Sequence, residues 1–345
     1  MRKRITRRSF GIASAVVLAA PALVRRAHAA DAPLRLRLSL ESSPTHMRNV
    51  SLKDYLGKVE RASGGKIRSE VFESGQLYPD LEVTKALIQD QLEMAVPGTW
   101  AITAMVSDAD FLQLPALYGR SMEDIHRAID GKPGQLLNRQ IQQKLRLHVL
   151  GPYLDLGFQN WYSVKKAISS LADLKGMKIR NSGGAGQAWR ARFLGAIPNT
   201  TAWPNVPLAL SQGTFDGLVS TNESIASGKL WDAGVKYAFE DHHFTAVYIP
   251  LVSQAFWDKL APDLQRLMTD TWAQNISIYR DNMATAQRRA RKTLEEHGIK
   301  ITDPTEEQVA SARKLMTAGQ DQVAKETKIS PEMVKLLMET VSASS

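Results

Sequence analysis

The chain predicts an α/β protein made of two similar units crossed by one long helix. Three patterns carry this expectation. Short strands and helices alternate between residues 34 and 96, and the alternation restarts between 145 and 219. Apolar residues at steps of three and four then run from 262 to 297. At 345 residues the chain is long enough for about two domains.

Leu34, Leu36, Leu38 and Leu40 alternate with Arg35, Arg37 and Ser39, the period of a half-buried strand. Leu52, Tyr55, Leu56 and Val59 follow at helical spacing, and Gly64 with Gly65 ends that helix. KIRSEVF (66–72) reads as a second strand, Asp80 as the cap of a helix carrying Leu81, Thr84, Leu87 and Ile88, and LEMAV (92–96) as a third strand. Strands alternating with helices imply a parallel-type sheet. The second unit, about 155–245, follows LRLHVL (145–150) and contains GMKIR (176–180), a helix through Trp189 and Phe193, and FDGLV (215–219). Pro262 suits the first turn of the long helix and Gly298 its stop. About 35 residues give ~50 Å at 1.5 Å per residue. Such a helix either runs along both units or breaks near Asp281 and Asn282.

The net charge of +9 is concentrated at one end. Residues 1–30 hold seven basic and no acidic residues, leaving 37 basic against 35 acidic elsewhere. No basic stripe with interleaved aromatics remains, which argues against nucleic acid as a partner. Thr6-Arg7-Arg8-Ser9-Phe10 is a twin-arginine pattern, followed by an apolar stretch from Gly11 to Val24 and the small-x-small site Ala27-His28-Ala29. Residues 1–29 are therefore expected to be an export signal, and the remainder to work in the periplasm without spanning a membrane. The chain has no cysteine, which removes thiol nucleophiles, Fe–S clusters and cysteine-ligated zinc.

Signatures of catalysis are sparse. NSGGAGQAW (181–189) lacks the Gly-Lys-Ser/Thr ending of a phosphate loop and the third glycine of a dinucleotide fingerprint, and reads as a turn into a helix whose N-terminus has N–H groups to offer an anion. His242 and His243 point in different directions on a helix or a strand, so no shared metal is expected. Asp108 and Asp110 read as a solvated loop. Trp100, Trp161 and Trp203 follow predicted strands or sit in polar loops, where α/β sheets place ligands. In LKGMKIRNSGG (174–184), Arg180 ends an apolar run: a surface cap, a phosphate site and a substrate grip all fit this local pattern.

RASGGKIRSEVFESGQL (61–77), ALIQDQLEMAV (86–96), FLQLPAL (111–117), ISSLADLKGMKIR (168–180), VPLALSQGTFDGL (206–218) and APDLQRLM (261–268) are each weak alone. In this order and spacing the chain resembles the substrate-binding proteins of tripartite ATP-independent periplasmic (TRAP) transporters, the DctP-type family. The resemblance implies a two-lobed periplasmic binding protein fold with hinge segments and a long helix crossing both lobes. Lobe I would take 30–155 plus 246–260, and lobe II 156–245 plus 261–345, including the helix at about 262–297. It also implies capture of an organic acid, a small carboxylate, and delivery to TRAP-type integral membrane permease subunits; the residues themselves offer no cofactor loop, metal cluster or nucleophile, so no cofactor, no metal site and no catalysis are expected.

By the same resemblance Arg180 grips the ligand carboxylate. Trp203 lines the site, the turn Gly98-Thr99-Trp100 borders it, and Ser220 and Asn222 give polar contacts. Many members carry a second arginine where this chain has Gln159, Asn160 and Trp161. That departure suggests a monocarboxylate with an apolar or aromatic body, held by Arg180 as the only charge. An exported enzyme with a similar cleft, or a binding protein of another transporter class, are the alternative readings.

Overall fold

The computed structural model describes residues 32–343, apart from the side chain of His243. The export signal expected at 1–29 lies outside those residues. Within them, the period-two leucines place β1 (Leu34–Ser39) inside a sheet, with Leu36 and Leu38 fully buried. It is followed by α1 (Met47–Ala62), β2 (Ile67–Phe72), α2 (Asp80–Ile88) and β3 (Met94–Ala95), and both β2 and β3 pair with β1 in parallel. The helices α3 (Met122–Asp130) and α4 (Lys132–Leu145) lead to β4 (Leu147–Val149).

The second sheet begins with β5 (Leu154–Ser163). Then come β6 (Lys178–Asn181), α5 (Ala185–Phe193), β7 (Ile197–Thr200), α6 (Val206–Ser211), β8 (Gly217–Ser220), α7 (Asn222–Ser227) and β9 (Tyr237–Tyr248). The chain returns to the first sheet at β10 (Leu251–Ser253), turns through α8 (Gln254–Trp257) and enters α9 (Pro262–Glu296). β11 (Lys300–Thr302), α10 (Glu306–Thr317), α11 (Gln320–Thr327) and α12 (Pro331–Ser342) complete it. The strand orders are β2-β1-β3-β10-β4 and β11-β9-β5-β8-β6-β7.

Both sheets are mixed rather than purely parallel. β10 runs antiparallel to β3 and β4, and β5 runs antiparallel to β8 and β9. The reason is topological: two strands link the sheets in opposite senses, β5 outward and β9 back. They stay paired from Leu154↔Tyr248 to Ser163↔Tyr237, with irregularities after Asp155 and Gln159. At the near end, Leu150 N donates to Pro250 O and Ile249 N to Pro97 O, tying the pair to the first sheet. A two-stranded ribbon with bulges is the thinnest connection between the lobes and suits a hinge.

α9 is one uninterrupted helix of 35 residues, with no break at Asp281 and Asn282. Met268, Trp272 and Tyr279 pack with Leu36, Leu52, Tyr55 and Leu56 under the first sheet, whereas Leu294 joins Leu218, Val235 and Ile299 under the second. Between these ends Trp272 Nε1 donates to Pro152 O at 2.9 Å and Gln287 Nε2 to Leu156 O at 2.7 Å. The last helices had no counterpart in the sequence reading. Met316, Val323, Met333 and Leu337 bury against Ile125, Leu137, Ile141 and Trp189. No helix among the described residues is long and apolar enough to cross a membrane.

Asp108 and Asp110 are buried, not solvated. Asp108 accepts from Ser330 N and Oγ at 2.6 and 2.7 Å, at the start of α12. Asp110 accepts from Gly186 N at 2.9 Å, so the N-terminus of α5 already faces a protein carboxylate. Removing the fully buried Trp272 side chain is expected to cost ~3–5 kcal/mol. Denaturant unfolding of Trp272→Ala, read against the parent protein, checks this; a loss below ~1 kcal/mol contradicts the packing.

Candidate functional site

Along β6 the side chains alternate. Ile179 enters the core, and Arg180, on the opposite face, looks into the space between the sheets at 1% exposure. Its Nε and Nη2 donate to Thr201 O at 2.9 and 2.8 Å, and Nη1 donates to Ser182 Oγ at 3.0 Å. A guanidinium has five N–H groups, so one on each terminal nitrogen has no partner among the described residues. No carboxylate of a described residue touches it either. Burial pushes its pKa down to about 10, with Asp80, Glu41 and Tyr248 pulling the other way. It remains a cation at neutral pH.

Arg180 borders a small cavity with room of about 20 Å³, enough for a single water. Of the residues expected from sequence, Arg180, Trp203, Trp100, Gln159 and Ser220 meet around it. The Trp203 ring lies 5.5 Å from the Arg180 guanidinium carbon. Four others do not reach it. Thr99 is buried in the turn beneath Trp100. Trp161 lies deeper and donates Nε1 to Asp241 at 2.5 Å. Asn160 and Asn222 face the other side of the sheet: Asn222 accepts from Tyr162 Oη at 2.6 Å and donates to Glu240 at 2.8 Å. Strand alternation decides this, since Gln159 and Asn160 are neighbours on β5 and must point apart.

Sequence reading missed Glu41, Ser42, Asp80, Ser224 and Tyr248, which also line the cavity. None sits in a recognisable motif. Asp80 was expected as a helix cap, yet Pro79 occupies that position and Asp80 begins α2. Its carboxylate crosses the cleft and accepts from Trp203 N at 3.0 Å. Burial, then the neighbouring Glu41 carboxylate, pushes Asp80 up to about 6. Glu41 is equally buried but is held below its usual value, because the Arg48 guanidinium 2.7 Å away outweighs burial. Of the two, Asp80 is the one that takes up a proton as pH falls through about 6. Arg180 is thus not the only charge here. A further buried arginine, Arg190, lies behind Gln159 and donates to its Oε1 at 3.1 Å.

The lobes also bind each other directly. α1 has no acidic residue in its first turn. The carboxylate that its N-terminus favours comes from the other lobe: Glu223 accepts from Met47 N at 2.8 Å and from His46 Nε2 at 3.0 Å. His46 Nδ1 accepts from Arg48 N, which fixes the tautomer with the proton on Nε2. Ser43 Oγ donates to Ser227 O at 3.1 Å. At the rim Gly75, at φ +70°, abuts Pro204, and a Cβ there would lie 2.6 Å from Pro204 Cγ. Only glycine tolerates both the backbone angle and the approach.

A larger cavity of about 340 Å³ lies behind β5 and β9 against α9, bordered by Asn160, Asn222, Phe158 and Met283. Nearby, ligand atoms of Glu240, His242 and Asp303 come within 4.8 Å of one another. Arg291 meets Glu240 at 2.7 Å and Asp303 at 2.8 Å, so a guanidinium already balances these carboxylates.

A family model for bacterial extracellular solute-binding proteins, family 7 (DctP), matches residues 39–327. The C4-dicarboxylate-binding periplasmic protein DctP of Rhodobacter capsulatus is 23% identical over 328 residues, covering 93% of this chain and 95% of that protein. The crystal structure of the sugar acid binding protein DctPAm from Advenella mimigardefordensis, in complex with galactonate, superposes with a TM-score of 0.85 at 22% identity, covering 91% of this chain and 99% of that one. A TRAP periplasmic solute binding protein from Sulfurospirillum deleyianum with bound succinate gives 0.81 at 24% identity, covering 88% and 98%. The likeness of fold covers 88–91% of this chain in these two structures, and the family match spans most of the sequence. This chain belongs to the DctP family, family 7 of the bacterial extracellular solute-binding proteins.

Proposed function

We propose that this protein captures a small organic acid in the cleft between its lobes, with Arg180 holding the carboxylate, and delivers it unchanged to a TRAP-type membrane permease. The observation that carries this reading is the condition of Arg180: deeply buried, touching no protein carboxylate, with an N–H to spare on each terminal nitrogen. An isolated buried charge costs several kcal/mol unless it is paired. A ligand carboxylate supplies that pair with two parallel hydrogen bonds. The relatives' ligands share this chemistry, since C4-dicarboxylates, galactonate and succinate are all carboxylates.

The lobes are taken as residues 30–155 with 246–260, and 156–245 with 261–345, moving about β5 and β9, with the first half of α9 and the helix α12 packing across that division onto the first lobe. Trp100, Trp203 and Leu156 offer apolar walls, Gln159 and Ser220 polar contacts, which suits a small carboxylate with an apolar flank. A cavity for one water does not admit such a ligand in the closed form, so the lobes part to load it. Residues 1–29 direct export by the twin-arginine route. With Arg7 and Arg8 both replaced by lysine, cell fractionation should find the precursor in the cytoplasm; normal export of that variant rejects the route.

Arg180→Ala should lose ~2–5 kcal/mol of carboxylate binding, measured by calorimetry on the acid that mass spectrometry identifies in the purified protein. An affinity within a few-fold of the parent rejects the grip. Proton linkage gives a second check. Because Asp80 is raised to about 6, its proton leaves as pH rises through that value and places a negative charge beside the ligand. Affinity for an ionised carboxylate should therefore fall several-fold between about pH 5 and 7.5. Asp80→Asn keeps an acceptor for Trp203 N–H and should flatten this dependence; an unchanged slope in that variant contradicts the assignment.

A further inference from the structure

Arg190 on α5 is a second buried cation with no carboxylate partner among the described residues. It is 2% exposed, its guanidinium carbon lies 4.4 Å from the Phe244 ring centroid and 5.5 Å from that of Trp161, and its Nε has no partner. Burial pushes its pKa down to about 9, so it is charged at neutral pH. Among the described residues its side chain makes one hydrogen bond, from Nη2 to Gln159 Oε1 at 3.1 Å.

That bond decides which way Gln159 points. An amide has one acceptor end and one donor end, and a guanidinium has no acceptor. Gln159 must turn Oε1 to Arg190, which leaves its NH₂ as the free end, without a partner among the described residues. Gln159 borders the same small cavity as Arg180. The cavity thus receives an N–H donor polarised by a cation behind it, within a few atoms of the carboxylate site.

We infer that Arg190 is a positioning residue: it fixes Gln159 as a hydrogen-bond donor to the ligand and so selects acids that carry an acceptor oxygen next to the carboxylate. The inference rests on the proposed role of Arg180. An acid with only methylene at that place leaves a buried donor unpaired, which costs affinity. An acid with an ammonium there meets a donor and a positive charge in low dielectric. Without Arg190 the amide is free to rotate, and the distinction fades.

Titration calorimetry with 2-oxobutanoate, butanoate and 2-aminobutanoate tests this, since the three differ only at the atom beside the carboxylate. The parent should bind 2-oxobutanoate at least tenfold more tightly than either other acid. Arg190→Met should shrink that ratio to within threefold, and Arg190→Lys, which still donates to Oε1, should restore part of it. Gln159→Leu should match Arg190→Met, and the double variant should lose no more than either single one, because both remove one interaction. Gln159→Glu keeps a partner for Arg190, guards against a folding defect, and should also abolish the preference because it offers no donor.

Arg180→Ala should weaken all three acids in parallel. If it does not, the carboxylate grip fails while the ratios still judge Arg190. A folded Arg190→Met protein that keeps the parent's ratio, additive losses in the double variant, or a parent that shows no preference or binds none of the three overturns the inference.

Discussion

A guanidinium held out of water with no protein anion against it is the constraint on which the cleft is organised. The surroundings of Arg180 meet its charge piecemeal. Thr201 O takes two of its N–H groups, Ser182 Oγ takes a third, and Trp203 offers a ring face. The carboxylates of Asp80 and Glu41 act at longer range. Each is also committed elsewhere, Glu41 to Arg48 and Asp80 to a backbone N–H. Neither touches Arg180, which leaves its unused edge open to the carboxylate proposed above.

That arrangement works only if two sheets are brought together on demand and always in the same way. The ribbon of β5 and β9 supplies the flexible link, and α9 supplies the rigid one. The helix is anchored at one end by Trp272 in the first lobe and at the other by Leu294 in the second. In the proposed closure, bending at the ribbon swings the lobes along a guided course, because a helix of hydrogen-bonded turns resists stretching. The bulge that follows Gln159 has a second effect. It shifts the register of the ribbon beside the very residue that looks into the cleft.

Legibility in the sequence followed the range of the interaction. Period-two leucines in β1 and the three-four spacing of α9 are local signals, and both elements formed where those patterns lie. Arg180, Trp203 and Trp100 meet at one cavity because strand ends carry them there. Thr99, Asn160, Trp161 and Asn222 were indistinguishable from them in one dimension. Which face a residue takes depends on strand register, and one step along β5 separates Gln159 in the cleft from Asn160 behind it. Asp80 and Glu223 were hidden for another reason. Each looks like an ordinary helix-start acid, and only the closed lobes reveal that its partner sits across the cleft. The polar loop of Asp108 and Asp110 misled because its carboxylates satisfy helix starts far away in sequence.

The clasp of Glu223 on the first turn of α1 contains no ligand atom. Its bonds to Met47 N and His46 join groups of the two lobes alone. An open–closed equilibrium responds to a ligand only through what the ligand adds to one side of it. Whatever the clasp contributes raises the share of molecules that shut on nothing. Closed shape alone is then an ambiguous signal to a docking partner, since vacant copies wear it too. On the proposed role of Arg180, fidelity of delivery falls to the lifetime of closure, which a form with that guanidinium unpaired sustains less well than a loaded one.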